Sequence, residues 1–199
     1  SAFSLDYLRE HYGENFPIVG LVPALKPAVL QSKSKVVSVL ATPATFRGQL
    51  IREVMQHFAV PAGVEVHAIT NLELVPFVEA GQFNSIECKQ SLQRVLDPVV
   101  AQGSDYLVLG CTHYPYLKST IQALYGTQLT LIDSGFAVAR QTSRILLKNE
   151  LISTESQNNR IRIRCCVSGN NAKELENVLK HLIPAEITWT IENIVEKFG

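Results

Sequence analysis

Short apolar runs alternate with longer amphipathic stretches along most of this chain. Residues 64–68 and 129–132 read as strands; the run at 106–109, stopped by glycine, reads as a strand buried on both faces and that at 36–40 as another buried strand. An earlier run, Pro17-Ile18-Val19-Gly20-Leu21-Val22, reads the same way. Between the runs the apolar residues recur every three or four positions, the mark of a helix with one buried stripe. Leu5, Leu8 and Tyr12 suit a short helix capped by Ser1 and stopped by Gly13. A proline-punctuated helix is expected around 23–30, and another carries Leu50, Ile51, Val54, Met55 and Phe58. The longest spans 86–102 through Leu92, Val95, Leu96, Val99 and Val100, with Cys88 on a polar first turn. Helices near 117–125 and 135–150 follow, the latter turning Val138, Thr142, Ile145 and Leu146 inward behind an Asp133-Ser134-Gly135 cap. Strand and helix in alternation predict an α/β fold with parallel sheets and crossover helices.

Beyond residue 150 the pattern changes. Residues 153–159 are polar and without period, hence a loop. Arg160, Arg162 and Arg164 then alternate with Ile161, Ile163 and Cys165, which predicts a strand with one solvated and one packed face. Leu175, Val178, Leu179 and Leu182 mark a helix, and residues 186–191 a last strand. Lys33-Ser34-Lys35 is the best early place for a linker or hinge.

Composition narrows the function. Eighteen basic residues balance eighteen acidic ones, so no net field favours nucleic acid or an anionic membrane. No apolar run approaches the roughly 18 residues that span a bilayer, and residues 1–12, with Asp6, Arg9 and Glu10, do not read as a signal peptide. The cysteines, Cys88, Cys111, Cys165 and Cys166, lack framework spacing and suit free thiols in a reducing, cytoplasmic compartment. Cys165 and Cys166, adjacent on a strand, point to opposite faces, so their pairing would be strained; both read as core or near-core thiols.

The chemistry concentrates where the 106–109 strand ends, in Gly110-Cys111-Thr112-His113-Tyr114-Pro115. In parallel sheets, ligands bind beyond the carboxyl ends of strands, where the N–H groups of the next helix favour anions, a thiolate included. A cysteine is most often a small buried hydrophobe, and Cys-x-His offers too few ligands for zinc. Structural and catalytic readings of Cys111 both stand on local chemistry. The turn at 41–45 is similar: Thr42 is a natural helix cap before Pro43, yet two hydroxyls, Thr42 and Thr45, beside a helix start also suit a ligand carboxylate. Glu79 closes a helical segment just before Gly81, where a carboxylate is unfavourable with the helix dipole.

The run Leu-Gly-Cys-Thr-His-Tyr-Pro at 109–115 resembles the second cysteine motif of the glutamate racemases, bacterial enzymes of cell-wall synthesis that use no cofactor. Val75-Pro76-Phe77-Val78-Glu79-Ala80-Gly81 resembles that family's Val-Pro-x-Val-Glu-x-Gly, Ala41 to Thr45 its Ala-Thr-x-x-Thr turn, and residues 16–24 its strand leaving the first domain. The resemblance covers nearly the whole chain and is weaker after Asn149. It implies two similar parallel-sheet α/β domains facing each other, with 1–23 and 134–199 in the first and 24–133 in the second. It also implies a two-base inversion of glutamate that supplies D-glutamate for peptidoglycan. Cys111 would act on the L-enantiomer face, His113 would tune or relay the proton and Glu79 would orient His113. Thr112, with His113 and the amides after Gly110, would hold the substrate carboxylate; Thr42 and Thr45 would line the pocket.

The chain departs from the family at its front. Ser1 aligns with the last serine of the family's Cys-Asn-Thr-Ala-Ser motif, so the partner cysteine, the opening Asp-Ser-Gly and a Pro-Tyr-Gly loop are expected to be missing, and the first domain incomplete. The chain then reads as a fragment, inactive by itself and holding one half of the site. No metal or pyridoxal cofactor is implied; the expected partner is glutamate, without nucleic acid or membrane, and a homodimer stays open. Alternatives are a related cysteine racemase or decarboxylase for a small acid such as aspartate, and a non-catalytic glutamate-binding regulatory module.

Overall fold

The computed structural model describes residues 5–13, 16–152, 162–167, 175–176, 179–181, 183 and 185–193. The Ser1 cap and the 153–159 loop lie outside them. Helix α1 (Leu5–Tyr12) and helix α2 (Leu25–Gln31) precede strand β1 (Val36–Leu40). Then come α3 (Pro43–Arg47), α4 (Gln49–Val54), a π-helical turn at Met55–Ala59, and β2 (Glu65–Ile69). Next are α5 (Leu74–Glu79), α6 (Ile86–Ala101), β3 (Tyr106–Leu109), a 3-10 turn at Tyr114–Leu117, and α7 (Lys118–Tyr125). Strand β4 (Thr130–Asp133) leads into α8 (Gly135–Lys148), followed by β5 (Arg162–Val167) and β6 (Thr188–Asn193).

The first four strands form one parallel sheet in the order β2-β1-β3-β4, with Leu40 opposite both Ile69 and Leu109, and Leu109 opposite Asp133. Alternation along each strand divides the core into two layers. Leu40, Leu107 and Leu109 face α5, α6 and α7 through Leu74, Val78, Leu92, Leu96 and Ile121. Val37, Val39 and Val108 face α2 and α4 through Leu25, Val29 and Ile51. Each leucine side chain buried in this way contributes about 1.5–3 kcal/mol relative to exposure. Cys88 belongs to the first layer and is fully buried, not on a polar turn: with Leu92 and Leu96 it continues the four-residue spacing of the buried stripe. Burial raises its thiol pKa, against the opposing charge of Lys89.

Three expectations are corrected here. Residues 17–22 form no strand: the segment is unpaired, with Gly20 pressed on Leu5 so closely that a Cβ would lie 2.3 Å from Leu5 Cδ2. The carbonyl of Ile18 accepts from Arg9 (3.2 Å) and that of Val22 from the Ser134 hydroxyl. Second, the 32–35 turn is no free hinge. Asp105 accepts from the Ser32 hydroxyl at 2.6 Å and from the Lys33 and Ser34 N–H groups at 2.7 and 3.0 Å, and Lys35 sits at φ 64°. Third, Ile163 is 36% exposed, Cys166 is exposed and Cys165 half-buried, so neither face of β5 is packed into a core. β5 pairs in parallel with β6, in a second two-stranded sheet. On α8, Val138, Thr142, Ile145 and Leu146 do share the less exposed stripe, yet none is buried.

Candidate active site

The sheet order makes β1 and β3 the neighbours from which the chain leaves in opposite directions, toward β2 on one side and β4 on the other. The crevice beyond their carboxyl ends is where a parallel sheet binds ligands. Both suspect turns start there. Gly110 N–H donates to the Leu40 carbonyl (2.8 Å), and a Cβ on Gly110 would stand 2.9 Å from Ala41 Cβ and 3.3 Å from Pro23 Cγ. Only glycine lets the Cys111 turn lie this close to the Thr42 turn.

Cys111, half-buried, places Sγ 3.8 Å from His113 Nδ1, and His113 Nε2 lies 3.3 Å from Glu79 Oε1. Glu79 is the last residue of α5 and comes from 34 positions upstream. A carboxylate accepting from Nε2–H would favour the tautomer whose Nδ1 can take a proton from the thiol. The α-helix starts only at Lys118, after a 3-10 turn, so the neighbour of the Cys111 sulfur is the imidazole and not an α-helix N-terminus. Thr112 is exposed and, among the described residues, its side chain makes no hydrogen bond. Thr42 and Thr45 place their hydroxyls 3.1 Å apart, and Thr42 Oγ1 caps α3 through Thr45 N–H at 3.4 Å. Of the six residues singled out, the structure joins Cys111, His113 and Glu79 in one chain of contacts, joins Thr42 and Thr45 in another at the adjacent strand end, and leaves Thr112 open to solvent.

The sequence reading missed the frame of this site. Tyr114 is fully buried and donates to the Asn71 carbonyl at 2.9 Å; Asn71 in turn donates to the Ser91 carbonyl (3.1 Å) and Ser91 hydroxyl (2.9 Å). Burial, helped by the charge of a Cys111 thiolate, pushes Tyr114 up to about 12, so the phenol stays protonated at neutral pH and anchors the turn as a donor. Lys118 pairs with Asp133 at the end of β4. Burial pushes Asp133 upward, but its bonds to Lys118 and the Gly135 N–H, with the Lys118 charge, bring it below the usual carboxylate range. The signal was present in part, since Asp133 also ends a strand.

The sequence profile of the Asp/Glu/Hydantoin racemase family matches residues 2–142. The chain belongs to that family. A glutamate racemase from Deinococcus radiodurans is 52% identical over 152 residues, covering 76% of this chain and 52% of the relative. One from Herpetosiphon aurantiacus is 39% identical over 153 residues, 77% and 59% of the two chains. The chain therefore spans about half the length of the curated relatives it matches. Among solved structures, Escherichia coli glutamate racemase in complex with L-glutamate and an activator superposes with a TM-score of 0.74 at 29% identity, over 96% of this chain and 68% of that one. The two chains thus share their fold. Among the described residues, no helix is long and apolar enough to cross a membrane, and no cluster of three or more His, Cys, Asp or Glu forms a metal site.

Proposed function

We propose that this racemase-family chain supplies one half of a glutamate racemase site, with Cys111 as the acid–base group that exchanges the α-proton on the L-enantiomer face, and that it does not by itself complete the inversion. The observation that carries the reading is the Cys111–His113–Glu79 relay at the junction of β1 and β3. The Cys111 thiolate takes the α-proton, forming an S–H bond as the Cα–H bond breaks, and the electron pair moves into the adjoining carboxylate. His113 Nδ1 exchanges the thiol proton with solvent, and Glu79 offsets the charge that His113 then carries. Inversion further requires a proton delivered to the opposite face, from a group other than Cys111. Cys88 is excluded from that role because it is sealed in the core. Thr112, with the adjoining backbone amides, and Thr42 and Thr45 at the neighbouring strand end, are proposed to hold the substrate carboxylates. We also assign 24–133 to one domain and 1–23 with 134–199 to another; in support, both apolar core layers lie between Leu25 and Ile132. The relay needs no cofactor, and the product is suited to D-glutamate supply for the cell wall.

The deciding experiment is incubation with L-glutamate in heavy water, without added cofactor, following the α-proton by NMR and optical rotation in parallel. Deuterium at the α-carbon is expected, and Cys111→Ala should lower the exchange rate on the order of 10³-fold. Glutamate binding without any exchange would overturn the catalytic reading in favour of a binding module. Faster exchange of aspartate than of glutamate would move the substrate within the family.

A further inference from the structure

The helix that carries Glu79 ends in a left-handed glycine. Gly81 sits at φ 68°, with its N–H donating to the Val78 carbonyl (3.0 Å) and Gln82 N–H to the Phe77 carbonyl (2.8 Å), which closes the last turn. The open side of that glycine is covered from far along the chain. A Cβ on Gly81 would lie 2.6 Å from His181 Cδ2 and 2.8 Å from Nε2, so the imidazole lies against the bare backbone. His181 belongs to the helical residues 179–181 between β5 and β6, here the returning segment, where Ile183 N–H reaches the Leu179 carbonyl at 2.9 Å. Its ring meets Phe83 edge-on, with centroids 6.1 Å apart at 88°, and Phe83 stacks in turn on Tyr116 at 6.3 Å and 23°. Tyr116 stands three residues after His113. On its other flank the loop is held by the buried Thr120 hydroxyl, which donates to the Phe83 carbonyl at 2.7 Å.

We propose that His181 is a positioning residue: by covering Gly81 and bracing Phe83 it fixes the end of the α5 helix, and so the 3.3 Å reach of Glu79 to His113. Glu79 is the last helical residue, two before Gly81, so a small rotation of this turn swings its carboxylate away from Nε2. The distant segment thereby sets the tautomer of the imidazole that faces Cys111. The aromatic row His181–Phe83–Tyr116 ties the returning segment to both turns that supply the relay. The role rests on the proposed function of Glu79 and His113, and its test does not use turnover, so the two can fail separately.

The test is long-range proton–nitrogen NMR of the imidazoles of the whole chain, at one fixed pH, with His113 assigned by the signals lost in His113→Gln. The wild type is expected to show His113 as the Nε2–H tautomer, and Glu79→Ala a mixture of both. His181→Ala should move the His113 signals at least half of the way to the Glu79→Ala spectrum. His181→Phe, which keeps a flat ring over Gly81 and against Phe83, should bring them back to the wild-type positions. A His113 spectrum unchanged in His181→Ala would overturn the proposal, as would a His181→Phe spectrum equal to that of His181→Ala. If Glu79→Ala itself leaves His113 unchanged, the relay fails and the positioning role with it. Failure of deuterium exchange with these spectra as expected would remove the catalysis and leave the positioning intact.

Discussion

The two edges of the same parallel sheet are built to different standards. At the amino edge the Asp105 carboxylate takes three donors at 2.6–3.0 Å, and the buried Ser38 and Ser104 hydroxyls pair at 2.9 Å. At the carboxyl edge the contacts of the relay are longer, 3.8 Å at the sulfur and 3.3 Å at Glu79, and Thr112 faces solvent. Short bonds occur there too, at Asp133 on the outer strand, held by Lys118 and the Gly135 N–H, and in the frame of Gly110 and Tyr114, but not at the sulfur or at Glu79. Groups whose bonding is complete gain nothing by meeting a ligand, whereas loosely bonded ones can exchange a poor partner for a substrate. Stability is concentrated at one edge, and chemistry at the other.

Substitutions should separate the two edges. The largest effect is expected from Cys111→Ala: a loss of exchange on the order of 10³-fold, with a thermal midpoint within about 2 °C of the wild type, since the half-buried thiol leaves little cavity. A large drop in midpoint would make Cys111 a packing residue. The reverse is expected for Asp105→Asn: the exchange rate stays, and about 2 kcal/mol of stability is lost, because the turn exchanges charge-assisted bonds for weaker ones. The pH dependence has a definite sign. Burial pushes the Asp105 carboxyl upward, but its bonds to Ser32, Ser34 and Lys33 outweigh that and hold it below the ordinary carboxylate range. A carboxyl lowered on folding stabilises the native state fully above its unfolded value, near pH 4, and loses that contribution as pH falls through the folded value. Denaturant melts of wild type and Asp105→Asn should therefore differ at pH 7, and the gap should narrow as the pH falls through and below the ordinary carboxylate range; a constant gap would refute the assignment.

Four of the parallel strands lie within a residue of where the sequence puts them, because segments of four or five residues, mainly apolar or alternating, are enough to cross a sheet and too few to make a helix. The failure at 17–22 has a simple cause: periodicity reports burial, while a strand also needs a partner edge, and this segment has none. The same limit applies to β5, whose alternation tells which residues share a face but not whether a layer covers it. From Gly135 onward none of the described residues is buried, so hydrogen exchange there should be far faster than at Val37, Val39 and Val108. Cys111 stood out locally as a cysteine at a strand end. The contact of His113 with Glu79 spans 34 residues and came from family resemblance, and His181 had no local signal, since its contact is with a glycine a hundred residues earlier.

The smallest expected effect decides what Thr42 does at the carboxyl edge. As a cap, its oxygen accepts from Thr45 N–H at 3.4 Å, long enough that Thr42→Ala should cost only about 0.5–1 kcal/mol, at the low end for such caps. As a substrate contact, the same hydroxyl, 3.1 Å from that of Thr45, would be lost to the ligand as well. Thr42→Ser keeps the oxygen and serves as the control for both roles. Should the capping account be complete, Thr42→Ala lowers the thermal midpoint slightly and leaves the glutamate concentration for half-maximal exchange unchanged. If the hydroxyl meets the substrate, that concentration rises about tenfold, the worth of one hydrogen bond to a charged group, while Thr42→Ser stays near wild type in both measurements. Two half-buried hydroxyls that share one contact with each other and one long cap bond are poorly used as structure, so the second outcome is expected, and a tenfold rise shared by Thr45→Val would extend it to the whole turn.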